Sequence, residues 1–123
     1  MQKLTDYRDS RMLQYPETVS IVIVKDEDGR YNPMSASWVM LTSIEPRMIA
    51  ISIGFERYTY ELMRKQTEFV ISSPAARMAA EVKLFGSESG RDMDKLKHLG
   101  TPTQPATKID GLLLSEASVN YEC

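Results

Sequence analysis

Three short segments carry the side chains that could do chemistry. The first is Asn32-Pro33-Met34-Ser35-Ala36-Ser37-Trp38. Small polar residues alternating in this way can offer hydroxyl and backbone donors to a ligand edge, while Trp38 covers an apolar ring. The plainer reading is a turn whose Asn and Ser side chains satisfy local backbone groups, with Trp38 as a core anchor. The second segment, Gly54-Phe55-Glu56-Arg57-Tyr58-Thr59, lies between a strand and the start of a helix. Free N–H groups at such a start attract phosphate, to which Arg57 would add a charge-assisted bond and Thr59 a hydroxyl donor. Helix capping alone would also account for Thr59. The third segment runs from Gly86 to Lys95, with two glycines, Ser87, Ser89 and the cations Arg91 and Lys95. It reads either as a lid or phosphate clamp, or as a polar connection between helices. The Gly-Lys-Ser/Thr of nucleotide-hydrolase phosphate loops is absent.

Other chemistries are excluded. The only histidine, His98, lies in a charged segment, and the only cysteine, Cys123, is the last residue, so no Ser/His/Asp or Cys/His nucleophile set exists. An intramolecular disulfide and a Cys-rich zinc site are equally impossible. Asp92, Asp94 and His98 share their stretch with Lys95 and Lys97, which makes a self-compensating surface rather than a metal site. With 15 basic and 17 acidic residues the net charge is -2, so nothing anchors a nucleic-acid backbone non-specifically. The longest apolar runs fall far short of the roughly 20 residues of a membrane span. The first residues, Met1-Gln2-Lys3-Leu4-Thr5-Asp6, hold no apolar signal region, so a soluble cytoplasmic protein is expected.

The elements that position these segments follow from periodicity. At 123 residues, 42% hydrophobic and 26% charged, the chain suits one domain with its own core. Eight methionines read as core and interface filler. Residues 2–14 form a polar lead-in, a short helix or an arm. Thr18 to Lys25 is β-branched and predicts a strand, closed by the turn residues Asp28-Gly29. Asn32-Pro33 interrupts the next stretch, after which Ser35 to Thr42 predicts a strand. Arg47 to Gly54 and Glu68 to Ser72 predict two more. Thr59 to Gln66 predicts a helix capped by Thr59, with Glu61 early and Arg64 and Lys65 late. Pro74 to Phe85 predicts another, capped by Ser73 and stopped by Gly86, with Ala75, Met78, Ala79, Val82 and Phe85 as its apolar stripe. A short helix from Asp92 or Met93 to Leu99 ends at Gly100, and residues 101–110 read as a surface connection. Leu112 to Cys123 alternates and predicts one half-buried strand, with Ala117, Val119, Tyr121 and Cys123 facing inward. Short turns between the early strands favour antiparallel pairing.

Taken in order, these residues resemble the flavin reductase-like family of FMN-binding split-barrel flavoproteins. The likeness runs through Tyr15-Pro16, Val19–Val24, Asp28-Gly29, Asn32–Trp38, Pro46, Ile49–Ile53, Arg57-Tyr58-Thr59 and Glu68–Ile71. It continues through Ser89-Gly90-Arg91-Asp92, Asp94-Lys95 and Glu122-Cys123, with Leu96 where an aromatic is common. It covers residues 15–123, leaving 1–14 as the lead-in. The resemblance implies a mainly β fold, a Greek-key-like antiparallel split barrel with two or three short helices. It implies FMN rather than FAD, NAD(P)H as electron donor, and a homodimer with the flavin near the interface. The implied function is hydride transfer from NAD(P)H to flavin and on to free flavin, a metal complex or a redox partner. The alternatives are an FMN-carrying electron-transfer module without nicotinamide activity, or a non-catalytic oligomerisation domain. Carried over residue by residue, Asn32, Met34, Ser35, Ser37 and Trp38 would line the ribityl chain and ring. Ser52, Arg57, Tyr58 and Thr59 would help hold the ring edge and phosphate, and Ser87, Ser89 and Lys95 would complete the site, Lys95 as a weaker second cation. Family members usually continue some tens of residues beyond the position of Cys123, so either the domain is C-terminally truncated here or the strands that complete the barrel come from elsewhere.

Overall fold

The computed structural model describes residues 4–123, so the first residues of the expected lead-in lie outside the described part. The lead-in carries a short surface helix, α1 (Tyr7–Met12), whose N-cap Asp6 accepts from Asp9 N. The fold is otherwise mainly antiparallel sheet with short helices packed around it.

The central element is β1 (Ser20–Lys25). Its side chains Ile21, Val22, Ile23 and Val24 are all buried, so the strand is covered on both faces. Ile21 and Ile23 join Val70, Met78, Phe85, Leu113 and Leu114 on one side. Val22 and Val24 meet Leu62 on the other. On one edge β1 pairs antiparallel with β2 (Tyr31–Ala36), in a register that sets Asn32 opposite Val24 and Ser35 opposite Ile21. On its other edge it pairs with β5 (Val70–Ser73), which in turn pairs with β8 (Val119–Glu122). The sheet order is thus β2-β1-β5-β8, antiparallel throughout. Two ribbons complete the strands: β3 (Val39–Ile44) with β4 (Arg47–Ile51), and β6 (Thr103–Pro105) with β7 (Leu112–Leu114). Helix α2 (Tyr58–Met63) presents Leu62 to the Val22 side. A 3-10 turn (Ala76–Met78) leads into α3 (Ala79–Ser87), which presents Phe85 to the Ile21 side. The last helix, α4 (Lys95–Leu99), is capped by Asp94 and ends at Gly100, whose φ of 63° is the left-handed conformation glycine favours.

Several expectations are corrected. The stretch Ser35–Thr42 is two strands, and Asn32-Pro33 lies inside β2. Pro33 is tolerated because β2 is an edge strand, with no ladder partner on its outer side. The strand expected over Arg47–Gly54 stops at Ile51. Residues 101–110 hold β6, paired to β7. Ser73 belongs to β5 rather than capping a helix, and Gly86 lies within α3, which is capped at its end by Glu88. Leu112–Cys123 is two strands, and the second faces the opposite way to its apolar pattern. Val119 and Tyr121 are exposed, while Asn120 points inward.

Asn120 explains that inversion. Its Oδ1 accepts from Ser72 Oγ at 2.6 Å and from Leu114 N at 3.3 Å, and its Nδ2 donates to Leu114 O at 3.1 Å. One amide therefore ties β5, β7 and β8 together. Glu122 adds a second tie, since its carboxylate accepts from Thr107 N and Oγ1 and from Lys108 N, which holds it below the usual carboxylate range. Among the described residues no helix is long and apolar enough to cross a membrane. Replacing Asn120 with Ala leaves Ser72 and the Leu114 backbone without partners, and should cost about 2–3 kcal/mol of stability in urea denaturation. A variant as stable as the parent would show that water replaces the amide.

Candidate functional site

Two adjoining hollows open along the outer edge of β2. One lies between the start of α2 and the end of α3, and the other beside the β2–β3 bend. They share Met34, Glu56, Arg57 and Gly86. Asn32, Tyr58, Thr59, Ser87, Ser89 and Lys95 line the first, and Ser35, Ser37, Trp38 and Ser52 line the second. The twelve residues named from the sequence are therefore gathered along one continuous cleft.

Their individual situations differ from the expectations. Thr59 does not cap α2, since Arg57 occupies the cap position and makes no side-chain cap bond. Thr59 is instead 2% exposed, and its Oγ1 accepts from Asn32 Nδ2 at 2.9 Å. The other end of that amide, Asn32 Oδ1, is buried with no protein partner. Gly90 closes over it. A Cβ at residue 90 would lie 2.1 Å from Asn32 Oδ1, so the loop backbone approaches this closely only because it is glycine. Ser35 donates to Val82 O at 2.8 Å, which pins β2 to α3 and leaves the hydroxyl only as an acceptor. Ser52 N bonds Trp38 O at 3.0 Å, and this link holds the far wall of the second hollow. Trp38 is no core anchor: it is 57% exposed, with the Arg11 guanidinium 5.9 Å from its ring. Ser89 Oγ accepts from Arg91 N at 3.2 Å within the loop. Arg91 is not a free cation, because its guanidinium bonds Glu61 and lies 5.2 Å from the Tyr58 ring centre. Burial pushes the Tyr58 phenol above its ordinary range.

Lys95 is the unusual group. The sequence sets it among charged neighbours in a segment read as solvated, and as a cation that could face a ligand, yet it is 3% exposed. Its Nζ reaches Phe85 O at 3.4 Å and Glu88 O at 3.3 Å, both backbone carbonyls at the end of α3. No ion pair involves it among the described residues. Desolvation pushes its pKa down to about 8, and the Glu88 charge opposes that only in part. Lys95 forms the wall between the first hollow, where Glu56, Arg57, Glu88 and Arg91 also stand, and a small crevice lined by Asp26, Arg30 and Asp94. A buried ammonium held by carbonyls alone beside a hollow with further cations is suited to a bound anion. The acidic residues Glu56 and Glu88 were not singled out from the sequence. Each stands beside a residue of evident interest, but nothing in the sequence showed that it faces inward.

The chain matches the family described as flavin reductase like domain over residues 12–123. A Pyrococcus abyssi protein described as uncharacterized is 35% identical over 111 residues, which is 90% of this chain and 63% of that protein. Among solved structures, flavoredoxin of Desulfovibrio vulgaris superposes with a TM-score of 0.87 at 30% identity, covering 99% of this chain and 65% of that one. The FMN-binding protein of Thermus thermophilus, solved with bound p-hydroxybenzaldehyde, gives 0.80 at 26% identity over 99% and 65%. The chain thus spans just under two thirds of the length of these relatives. Its fold is the split β-barrel type that the sequence resemblance implied.

Lys95→Met separates the cost of the buried charge from the packing of its stem. Below pH 8 both folded and unfolded chains carry the charge, and only the folded chain pays its desolvation. There the variant should be more stable by up to about 3 kcal/mol. The advantage should shrink as pH rises from about 8 toward 10.5 and vanish above that, where the lysine is neutral in both states. Denaturation curves at pH 7 and pH 10 check this, and equal differences at both would contradict it.

Proposed function

The chain belongs to the flavin reductase-like domain family, and from that premise we propose that it binds FMN along the joined hollows and acts as a flavoprotein oxidoreductase. NADH or NADPH would be the electron donor, and free flavin, a metal complex or a redox partner the acceptor. The observation that carries this reading is Lys95, a buried cation with no carboxylate partner among the described residues, facing a hollow that also presents Arg57 and Thr59. The closely packed Gly90 backbone over the buried Asn32 Oδ1 supports it too, because it holds the loop that bears Ser89 and Arg91 against the first hollow. Bound FMN supplies the hydride and electron chemistry, and the protein supplies position, charge and exclusion of water.

Each residue then has a task. Arg57, Thr59 and Lys95 would hold the phosphate. Asn32, Ser37, Ser52 and the accepting Ser35 hydroxyl would bond along the ribityl chain and ring edge. Met34 and Trp38 would cover apolar surface, and Ser87 and Ser89 would close the rim beside Tyr58. No side chain is assigned as general acid or base. A phosphate beside Lys95 favours its charged form, so binding above pH 8 draws a proton onto Nζ. Affinity should then fall as pH rises through about 8.

Arg57→Ala combined with Thr59→Ala should weaken FMN binding about 10- to 100-fold, read by quenching of flavin fluorescence. Unchanged binding would remove both residues from the phosphate end. Lys95→Met should weaken binding and abolish the loss of affinity above pH 8. A protein that is colourless as purified and takes up no added FMN would end the flavoprotein reading. A second reading is an electron carrier without nicotinamide activity, which the same FMN-holding residues would serve. Stopped-flow mixing of the FMN-loaded protein with NADH and with NADPH decides between them, since reduction by neither leaves the carrier. We also propose a homodimer with the flavin near its interface. What supports it is the exposed apolar surface of Leu41, Ile44, Met48 and Tyr121, and sedimentation with and without FMN tests it.

A further inference from the structure

The turn between β4 and α2 holds an acid where an anion-binding cleft would not be expected to have one. Arg57 N bonds Gly54 O at 3.1 Å, which folds residues 54–57 into a tight turn. Within it the Glu56 carboxylate swings back over Gly54. A Cβ on Gly54 would lie 2.6 Å from Glu56 Oε1, so the carboxylate rests in space that any other residue at 54 would fill. From there Glu56 Oε1 faces Arg57 Nε at 3.3 Å. Both side chains line both hollows, so this pair stands at the junction of the cleft.

We propose that Glu56 is an affinity-setting residue, a built-in competitor that occupies Arg57 until a phosphorylated flavin displaces it. The inference rests on the FMN reading above and adds to it. An incoming phosphate must take Arg57 from Glu56 and then sit near the displaced carboxylate, and both effects weaken binding. A ligand without phosphate leaves the pair undisturbed. Glu56 therefore lowers the affinity of the phosphorylated form alone and keeps FMN exchangeable rather than permanently held. Because the pair is exposed, the effect is modest and screened by salt.

The test compares the full chain with Glu56→Gln, Arg57→Ala and the double variant, titrated with FMN and with riboflavin at low and at high ionic strength. Glu56→Gln should tighten FMN binding by about 3- to 10-fold at low salt, and FMN should leave correspondingly more slowly. The gain should shrink at high salt, be absent with riboflavin, and be smaller in the Arg57→Ala background, where only the repulsion between carboxylate and phosphate is left to relieve. Equal FMN affinity in parent and Glu56→Gln would overturn the inference while leaving the FMN reading standing, and so would an equal gain with riboflavin. No FMN binding by any of the four proteins would overturn both.

Discussion

The structure depends on one strand having no solvent face. Ile21, Val22, Ile23 and Val24 run consecutively through β1 with none of them accessible. A strand buried on both sides needs cover on both sides, which α3 with β7 supplies on one and α2 on the other. The two helices are thereby held on opposite faces of the same edge of the sheet, and β2 continues that edge. The end of α3 and the start of α2 come together beyond β2, so the cleft is the space left where two layers of cover meet an edge strand. Register does the rest. With Asn32 paired to Val24 and Ser35 to Ile21, Asn32 faces α2 and bonds Thr59, while Ser35 faces α3 and bonds Val82.

What the sequence made legible follows from this. β1 is readable because double burial leaves a run of β-branched residues. The final short helix is readable at its end, where Gly100 stops it, but not at its start, which the sequence sets at Asp92 or Met93 whereas Asp94 caps it. β2 was misjudged because proline weakens a strand only where its missing N–H is needed, and edge position is a tertiary property. Thr59 was misjudged because a threonine near a helix start can cap or be buried, and the Asn32 amide decides between them. In β8 the alternation was real but its sense was inverted. Asn120 faces inward because Ser72 and Leu114 offer it partners, and no local pattern in the sequence announces those partners.

Three polar segments in order were legible from residue types and spacing, which bring forward Asn32, Ser35, Ser37, Trp38, Arg57, Thr59, Ser87, Ser89 and Lys95; Met34, Ser52 and Tyr58 enter only through the family resemblance. The signs of their surroundings were not. Lys95 lies in a segment whose composition is that of a solvated helix, and its burial follows from the closeness of the α3 end, where Phe85 O and Glu88 O turn toward it. Such a lysine destabilises the free protein, an arrangement expected where a site is kept ready for a ligand rather than optimised for its own stability.

The loop over the first hollow is tied differently at each point. Gly90 is held by shape against Asn32, whereas Arg91 is held by charge against Glu61 and by the face of Tyr58. Nothing apolar and deeply buried anchors the segment between Ser87 and Asp92. Beside that packing and the Lys95 contact to Glu88 O, the segment is held by one surface guanidinium, whose pairing weakens with dissolved ions while the core beneath does not respond. The rim of the hollow thus joins parts of different character, one fixed by shape, one by a buried ammonium and one by a pairing that salt can weaken.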